Sequence, residues 1–378
     1  MTKTERNRIQ KEIVDSIPRN AQGRLLLAPR VGKTKVMIDI IKRDKPDSIL
    51  WVTPSAKLAE IDIPKEFETW KAKRYLKKLK IFTWASLNKI TGVYDLIVLD
   101  EEQFATENNI ENLLNGSLKG RILSMTGVPT KHIEKLYLYH RLNLKVLYRL
   151  PINEAVEIGL LSNYTIKVVQ VPLSNVKNIK AGSKKKAFLT SEVKQYEWLS
   201  KVVREAIFQK RADIKFRILN RMRFIKNSLS KLEAAQLLLS KLEGRILLFA
   251  GSIKQAEKLC EHTYHSQSDD KKYQMFQKGE IQRIAMVNSG GTGHTYKEID
   301  HLIMVQADSD KNGLTSQKVA RTLLAQKDYK ATIWIISLVG TQDEKWVDSA
   351  LDNFDRSKVQ YIKLKDLKNG KENRCCFN

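Results

Sequence analysis

A chain of 378 residues is too long for one ordinary core and suits two domains of common size. Its 42% hydrophobic content excludes a chain disordered throughout. A formal net charge of +25, from 67 Lys and Arg against 42 Asp and Glu, draws polyanions to the surface, nucleic acid first among them; solubility through charge is the alternative reading.

In chain order, residues 24–28, 48–54, 80–84, 94–100, 121–127 and 145–150 are short Ile-, Leu- and Val-rich runs bounded by turn residues, the pattern of buried strands. Helical stretches separate them, which predicts a parallel sheet with helices on both faces. Residues 165–173, 245–251, 282–287, 301–307 and 332–340 repeat the pattern and predict a second α/β lobe. The expected organisation is a first lobe over 1–150, a second over 151–366 with a basic helical insertion at about 174–232, and a flexible tail over 367–378. Between Lys180 and Lys231 stand 15 Lys and Arg against 4 Asp and Glu, a net of +11, in a stretch with amphipathic-helix character and few strand signals. Such one-sided charge predicts phosphate contacts from Lys184, Lys185, Lys186, Arg217, Arg221 and Arg223, with a solvated helical face as the alternative.

Two segments carry chemistry. Pro29, Arg30, Val31, Gly32, Lys33 and Thr34 follow a strand and open a helical pattern, the context a phosphate-binding loop requires. Gly32 lets the main chain approach a phosphate, Lys33 reaches the β and γ phosphates, and the Thr34 hydroxyl binds Mg²⁺. Arg30 departs from the usual loop, which has a glycine there. Asp100, Glu101, Glu102 and Gln103 end the strand 94–100. A carboxylate at the carboxyl end of a parallel strand suits a Mg²⁺ ligand, here Asp100, and Glu101 suits the base that takes a proton from attacking water. An acidic loop capping a helix is the alternative.

On these residues the chain resembles a superfamily 2 DNA helicase or translocase, DEAD/DEAH-like, and the likeness runs over nearly its whole length. The phosphate loop resembles motif I and Asp100–Gln103 motif II. Arg8-Ile9-Gln10 is similar to the Arg-x-Gln element that recognises adenine, and Val52-Thr53-Pro54 to motif Ia. Thr83 to Leu87, with Ser86, looks like the next nucleic-acid-contacting motif, and Ser124 to Pro129, with Thr126, resembles motif III. Residues 153–161 look like the lobe junction of UvsW-like, XPB-like and restriction-motor helicases. Residues 249–259 resemble motif IV. Asn288 to His294, with Ser289 and Gly293, resembles the Swi/Snf-like form of motif V, and Gln317 to Leu324, with Arg321, motif VI. The compact chain looks most like a phage-type enzyme.

The resemblance implies two tandem RecA-like lobes with ATP and Mg²⁺ between them. It places Arg8, Gln10, Gln103, Gly293 and Gln317 around the nucleotide beside the loop residues. It places Thr53, Pro54, Thr83, Ser86, Thr126 and Ser289 along duplex, forked or branched DNA, and it implies a monomer. Leu324 replaces the second motif VI arginine, leaving Arg321 as the arginine finger or calling for a partner protein. Three rivals stand beside this reading: a nucleic-acid-binding protein with weak ATPase, an RNA helicase, and the motor subunit of a restriction or packaging machine. Cys260, Cys375 and Cys376 form no disulfide framework, which suits a reducing, cytoplasmic setting. The first twenty residues lack the apolar stretch of a signal peptide, and no apolar run is long enough to cross a bilayer. Trp51, Trp70 and Trp84 lie on or beside strand patterns and are expected in the core.

Overall fold

In the computed structural model the described residues are 3–116, 118–183, 186–287, 296, 298–307, 314–320, 322–323 and 330–369. The expectations on Lys184, Lys185, Ser289, Gly293, Arg321 and Leu324 lie outside them. The strands are β1 (Gly23–Leu27), β2 (Ile49–Thr53), β3 (Leu79–Thr83), β4 (Gly92–Asp100), β5 (Leu118–Thr126), β6 (Val146–Leu150), β7 (Asn163–Val171), β8 (Ile179–Ser183), β9 (Lys186–Thr190), β10 (Ile246–Phe249), β11 (Thr263–Tyr264), β12 (Arg283–Met286), β13 (His301–Met304), β14 (Lys330–Leu338) and β15 (Val359–Lys363). The helices are α1 (Lys3–Ser16), α2 (Lys33–Asp44), α3 (Ile63–Thr69), α4 (Glu107–Asn115), α5 (Ile133–Arg141), α6 (Ile152–Glu157), α7 (Glu192–Phe208), α8 (Ile214–Lys226), α9 (Leu229–Lys241), α10 (Ile253–Leu259), α11 (Lys271–Lys278), α12 (Leu314–Ala320), α13 (Gln342–Leu351) and α14 (Leu364–Lys368).

Two parallel sheets result. The first is six-stranded in the order β3-β2-β4-β5-β1-β6, and the second seven-stranded in the order β11-β12-β10-β13-β14-β7-β15. Alternation along β4 shows why both faces are covered. Leu96 and Val98 join one apolar cluster with Val36, Met37 and Ile40 of α2, while Ile97 and Leu99 join another with Ile110 of α4 and Leu138 of α5. Burial on both sides contributes roughly 1.5–3 kcal/mol per fully buried Leu, Ile or Val, so these runs read as continuously apolar. In the second sheet Leu247 and Phe249 of β10 face α11 and α12, while Ile246 and Leu248 face α9. The first of these clusters continues from lobe to lobe through Ile152, Ala155, Leu160 and Leu161. As expected from their patterns, Trp51 and Trp84 are buried.

The stretch between β7 and β10 contains the expected helices but also strands. It opens with an antiparallel hairpin, β8–β9, before α7, α8 and α9. Lys186 to Leu189 are exposed on both faces of β9, so no alternation of apolar and polar residues marks the strand in the sequence. The helices are tied to the sheet by buried polar anchors. Glu192, at the start of α7, accepts from Ser228 Oγ at 2.8 Å, Leu229 N at 2.7 Å and Ser174 N at 3.1 Å, capping α9. Lys231 of α9 meets Asp343 of α13 at 2.7 Å, both fully buried. Leu367, expected in the tail, is buried within α14 instead.

Candidate nucleotide site and nucleic-acid interface

The candidate phosphate loop joins β1 to α2. Gly32 adopts φ 92°, in the left-handed region, and a Cβ there would stand 2.3 Å from Gln10 Nε2. Arg30 also lies in that region, at φ 69°, a conformation that costs a non-glycine residue on the order of 1 kcal/mol. Two side chains of α1 clamp consecutive loop carbonyls: Arg6 Nη2 donates to Arg30 O, and Gln10 Nε2 donates to Val31 O at 2.7 Å. Lys45 ends α2 in a left-handed conformation, with its N–H on Ile41 O, and Pro46 follows.

The expected Arg-x-Gln pair is therefore half corrected. Arg8 is exposed and pairs with Glu12 at 2.8 Å, away from the loop. Residues two apart on a helix face different ways, whereas residues four apart share a face, so Arg6 rather than Arg8 accompanies Gln10. Helical spacing back from Gln10 is the signal that would have found it.

Asp100 and Glu101 lie at the carboxyl end of β4, with Glu101 at φ 51° where the chain turns sharply. Glu101 is the hub of the site. It accepts from Lys33 Nζ at 3.1 Å, from Gln103 Nε2 at 2.9 Å and from Gln317 Nε2 of the second sheet's α12 at 3.1 Å. Burial, and then the charge of Glu101, push the Asp100 carboxyl up to about 7 against the pull of Lys33. Thr34 is half-buried in the first turn of α2, and Gly127 closes the other side: a Cβ there would stand 3.0 Å from both Lys33 Nζ and Pro29 Cγ. Across the lobes, Arg30 Nη1 also donates to Leu323 O at 3.2 Å.

Beneath this layer lies a second set of residues that motif reading passes over. Glu102 is fully buried; Arg24 Nε of β1 donates to its two oxygens at 3.0 and 3.1 Å, and Ser124 Oγ donates to it as well. Burial works against the Arg24 charge, yet the bond and charge of Glu102 more than restore it, so its pKa lies above the ordinary arginine value. Thr126 Oγ1 is 2.6 Å from Gln103 Oε1, and Lys135 Nζ donates to Gln103 O at 3.0 Å. Gln103 thus connects β5 to Glu101. A charged residue opening the apolar run 24–28 was the one available hint of the Arg24 pair.

The expected nucleic-acid residues divide. Thr53 and Thr83 are paired across β2 and β3, which brings Pro54, Thr83 and Ser86 to one carboxyl edge, where Thr83 Oγ1 and Ser86 Oγ are 3.0 Å apart. Thr53 and Thr126 are fully buried, however, and Thr126 is engaged with Gln103 and Val128, so neither side chain presents a surface to a strand. On the insertion Lys186 and Arg223 are exposed, Arg217 is tied to Asp213 at 2.8 Å, and Arg221 is half-buried. Among the described residues no cluster of three or more His, Cys, Asp or Glu could hold a metal, and no helix is long and apolar enough to cross a membrane.

No family model matches the sequence, and no curated protein matches it. Solved structures do. S. cerevisiae Dbp5 bound to RNA and ADP BeF3 superposes with a TM-score of 0.56 at 10% identity, over 96% of this chain and 91% of that one. The ATP-dependent type ISP restriction-modification enzyme LlaBIII bound to DNA gives 0.56 at 15%, over 96% of this chain and 31% of that one. The Pyrococcus furiosus Hef helicase domain gives 0.49 at 14%, over 91% and 97%. With its two parallel sheets, the chain shares with these structures a fold of two tandem RecA-like lobes.

Proposed function

We propose that the chain is a nucleic-acid-stimulated ATPase that works as a DNA helicase or translocase, binding ATP between its lobes. The observation that carries this reading is the Glu101 carboxylate, held at once by Lys33 of one lobe and Gln317 of the other. ATP phosphates entering the loop compete with Glu101 for the Lys33 ammonium. The displaced carboxylate is then free to accept a proton from water, and Gln103 and Gln317 orient it. Closing the lobes on ATP completes the site. Arg321, the proposed finger, follows α12 directly.

The residues present fit the nucleotide and its metal. Gln10 Oε1 is buried without a hydrogen-bond partner among the described residues, an acceptor suited to an adenine amino group. Asp100, with its pKa raised by burial and the neighbouring Glu101, lacks the positive charge that a divalent cation brings, and the Thr34 hydroxyl is the second protein ligand in this assignment. Mg²⁺ held there would neutralise charge on the β and γ phosphates.

One similar structure is bound to RNA and another to DNA; DNA is favoured here by the form of the lobe junction and of the segment resembling motif V. Lys33→Ala and Glu101→Gln should each abolish stimulated hydrolysis while the protein still binds oligonucleotide. An active Glu101→Gln enzyme would sink the assignment of the base.

A further inference from the structure

A second concavity, of ≈ 750 Å³, lies where α7 and α8 cross the carboxyl ends of β7 and β14. Two residues lining it each carry a buried polar atom without a hydrogen-bond partner among the described residues: Oγ of Ser200, a residue only 7% exposed, and Nε of Arg221. Native proteins rarely leave a buried donor unsatisfied, so two in one cleft mark a place for an acceptor supplied from outside. Arg204 lines the same cleft one helical turn beyond Ser200 on α7, and Lys345 lines it from α13. None of Arg204, Arg221 and Lys345 has an ion-pair partner among the described residues. Of the two carboxylates in the wall, Glu344 accepts from Gly340 N at 3.1 Å, and Glu197 is exposed at the rim.

We infer that this cleft is a phosphate-binding subsite for a nucleic-acid strand, with Arg204 and Arg221 as its charged donors and Ser200 Oγ as its neutral one. Guanidinium forks match phosphate oxygens in geometry as well as charge. Place argues for a strand. The cleft sits on the carboxyl edge of the seven-stranded sheet, the same edge at which Gly251 and Ser252 follow β10. β14 is two strand spacings from β10, about 10 Å. A strand bound along this carboxyl edge at the end of β10 would reach the cleft within a nucleotide or two. The inference rests on the proposed function and extends it: the insertion adds to the motor a defined phosphate pocket, rather than diffuse charge alone.

Anisotropy of a labelled oligonucleotide, titrated with full-length protein at several salt concentrations, tests this. Each lost phosphate contact should lower the slope of log K against log[salt] by about 0.7 to 0.9. Arg204→Gln/Arg221→Gln should weaken binding and flatten the slope by one to two such steps. Ser200→Ala, which removes no charge and keeps the test alive if the double variant does not fold, should weaken binding at unchanged slope. Variants that match the affinity and slope of a binding wild type overturn the subsite and leave the motor reading standing. A wild type that binds no oligonucleotide overturns both. Inorganic phosphate, exchanged for chloride at matched ionic strength, separates the two sources of the anion. It should displace the strand more readily from wild type than from the double variant; equal displacement from both proteins contradicts a strand phosphate in the pocket.

Discussion

At the scale of single residues, the site depends on which face of α1 meets the phosphate loop. Arg6 and Gln10 hold the carbonyls of Arg30 and Val31, while Arg8 is in solvent with Glu12. Arg6→Ala should therefore raise KM for ATP several-fold, and Arg8→Ala should leave it near the wild-type value, since an exposed ion pair of this kind is worth little. The reverse ranking in steady-state assays would contradict the loop clamp. Glu102 poses a different question, because it touches no reacting group. Glu102→Ala would leave the Arg24 guanidinium buried and unpaired, a loss of about 3–5 kcal/mol. A urea titration of the full chain measures this, and an unchanged midpoint would mean that water or another acceptor replaces the carboxylate.

Between residue and fold, the insertion elements are fastened through Glu192. Burial raises the pKa of its carboxyl, but hydrogen bonds from Ser230, Ser174 and Ser228 outweigh burial, leaving it below the ordinary glutamate value. A folded-state pKa below the unfolded one means stability that is fully present above the unfolded pKa and lost as pH falls through the folded one. Glu192→Gln should accordingly lower stability by about 1–3 kcal/mol at neutral pH. The gap from wild type should narrow as pH drops below about 4, near the unfolded carboxyl's pKa; a gap constant across pH in thermal melts would contradict the charged cap. Such a fastening was not legible in the sequence, since Glu192 and Ser228 are 36 positions apart. The strand β4 was legible, because residues buried on both faces must all be apolar. The hairpin β8–β9 and the edge strand β15 were not, because strands open to solvent need no apolar pattern. For the candidate site, the place of Lys33 at the β1–α2 turn and of Asp100 and Glu101 at the end of β4 was readable from local spacing. The Arg24–Glu102 and Gln103–Thr126 couplings join residues brought together only by the order of strands in the sheet.

At the scale of the whole molecule, the two lobes share one apolar cluster and meet at polar contacts that a bound nucleotide would rearrange. Arg30 reaches Leu323 O, Gln317 reaches Glu101, and Lys131 pairs with Asp352 at 2.8 Å. If Glu101 is the base, as proposed, its contacts with Lys33 and Gln317 would couple hydrolysis to the relative position of the lobes, and a strand bound across both would bias that position. The most direct measurement of this account is the rate of phosphate release at saturating ATP and Mg²⁺, with and without single-stranded, duplex and forked DNA and RNA. The rate should be low without nucleic acid and several-fold higher with at least one DNA, the increase falling as salt rises because the strand is held through its phosphates. Hydrolysis that is absent with every nucleic acid, or that proceeds at one rate whether or not nucleic acid is present, would contradict this account.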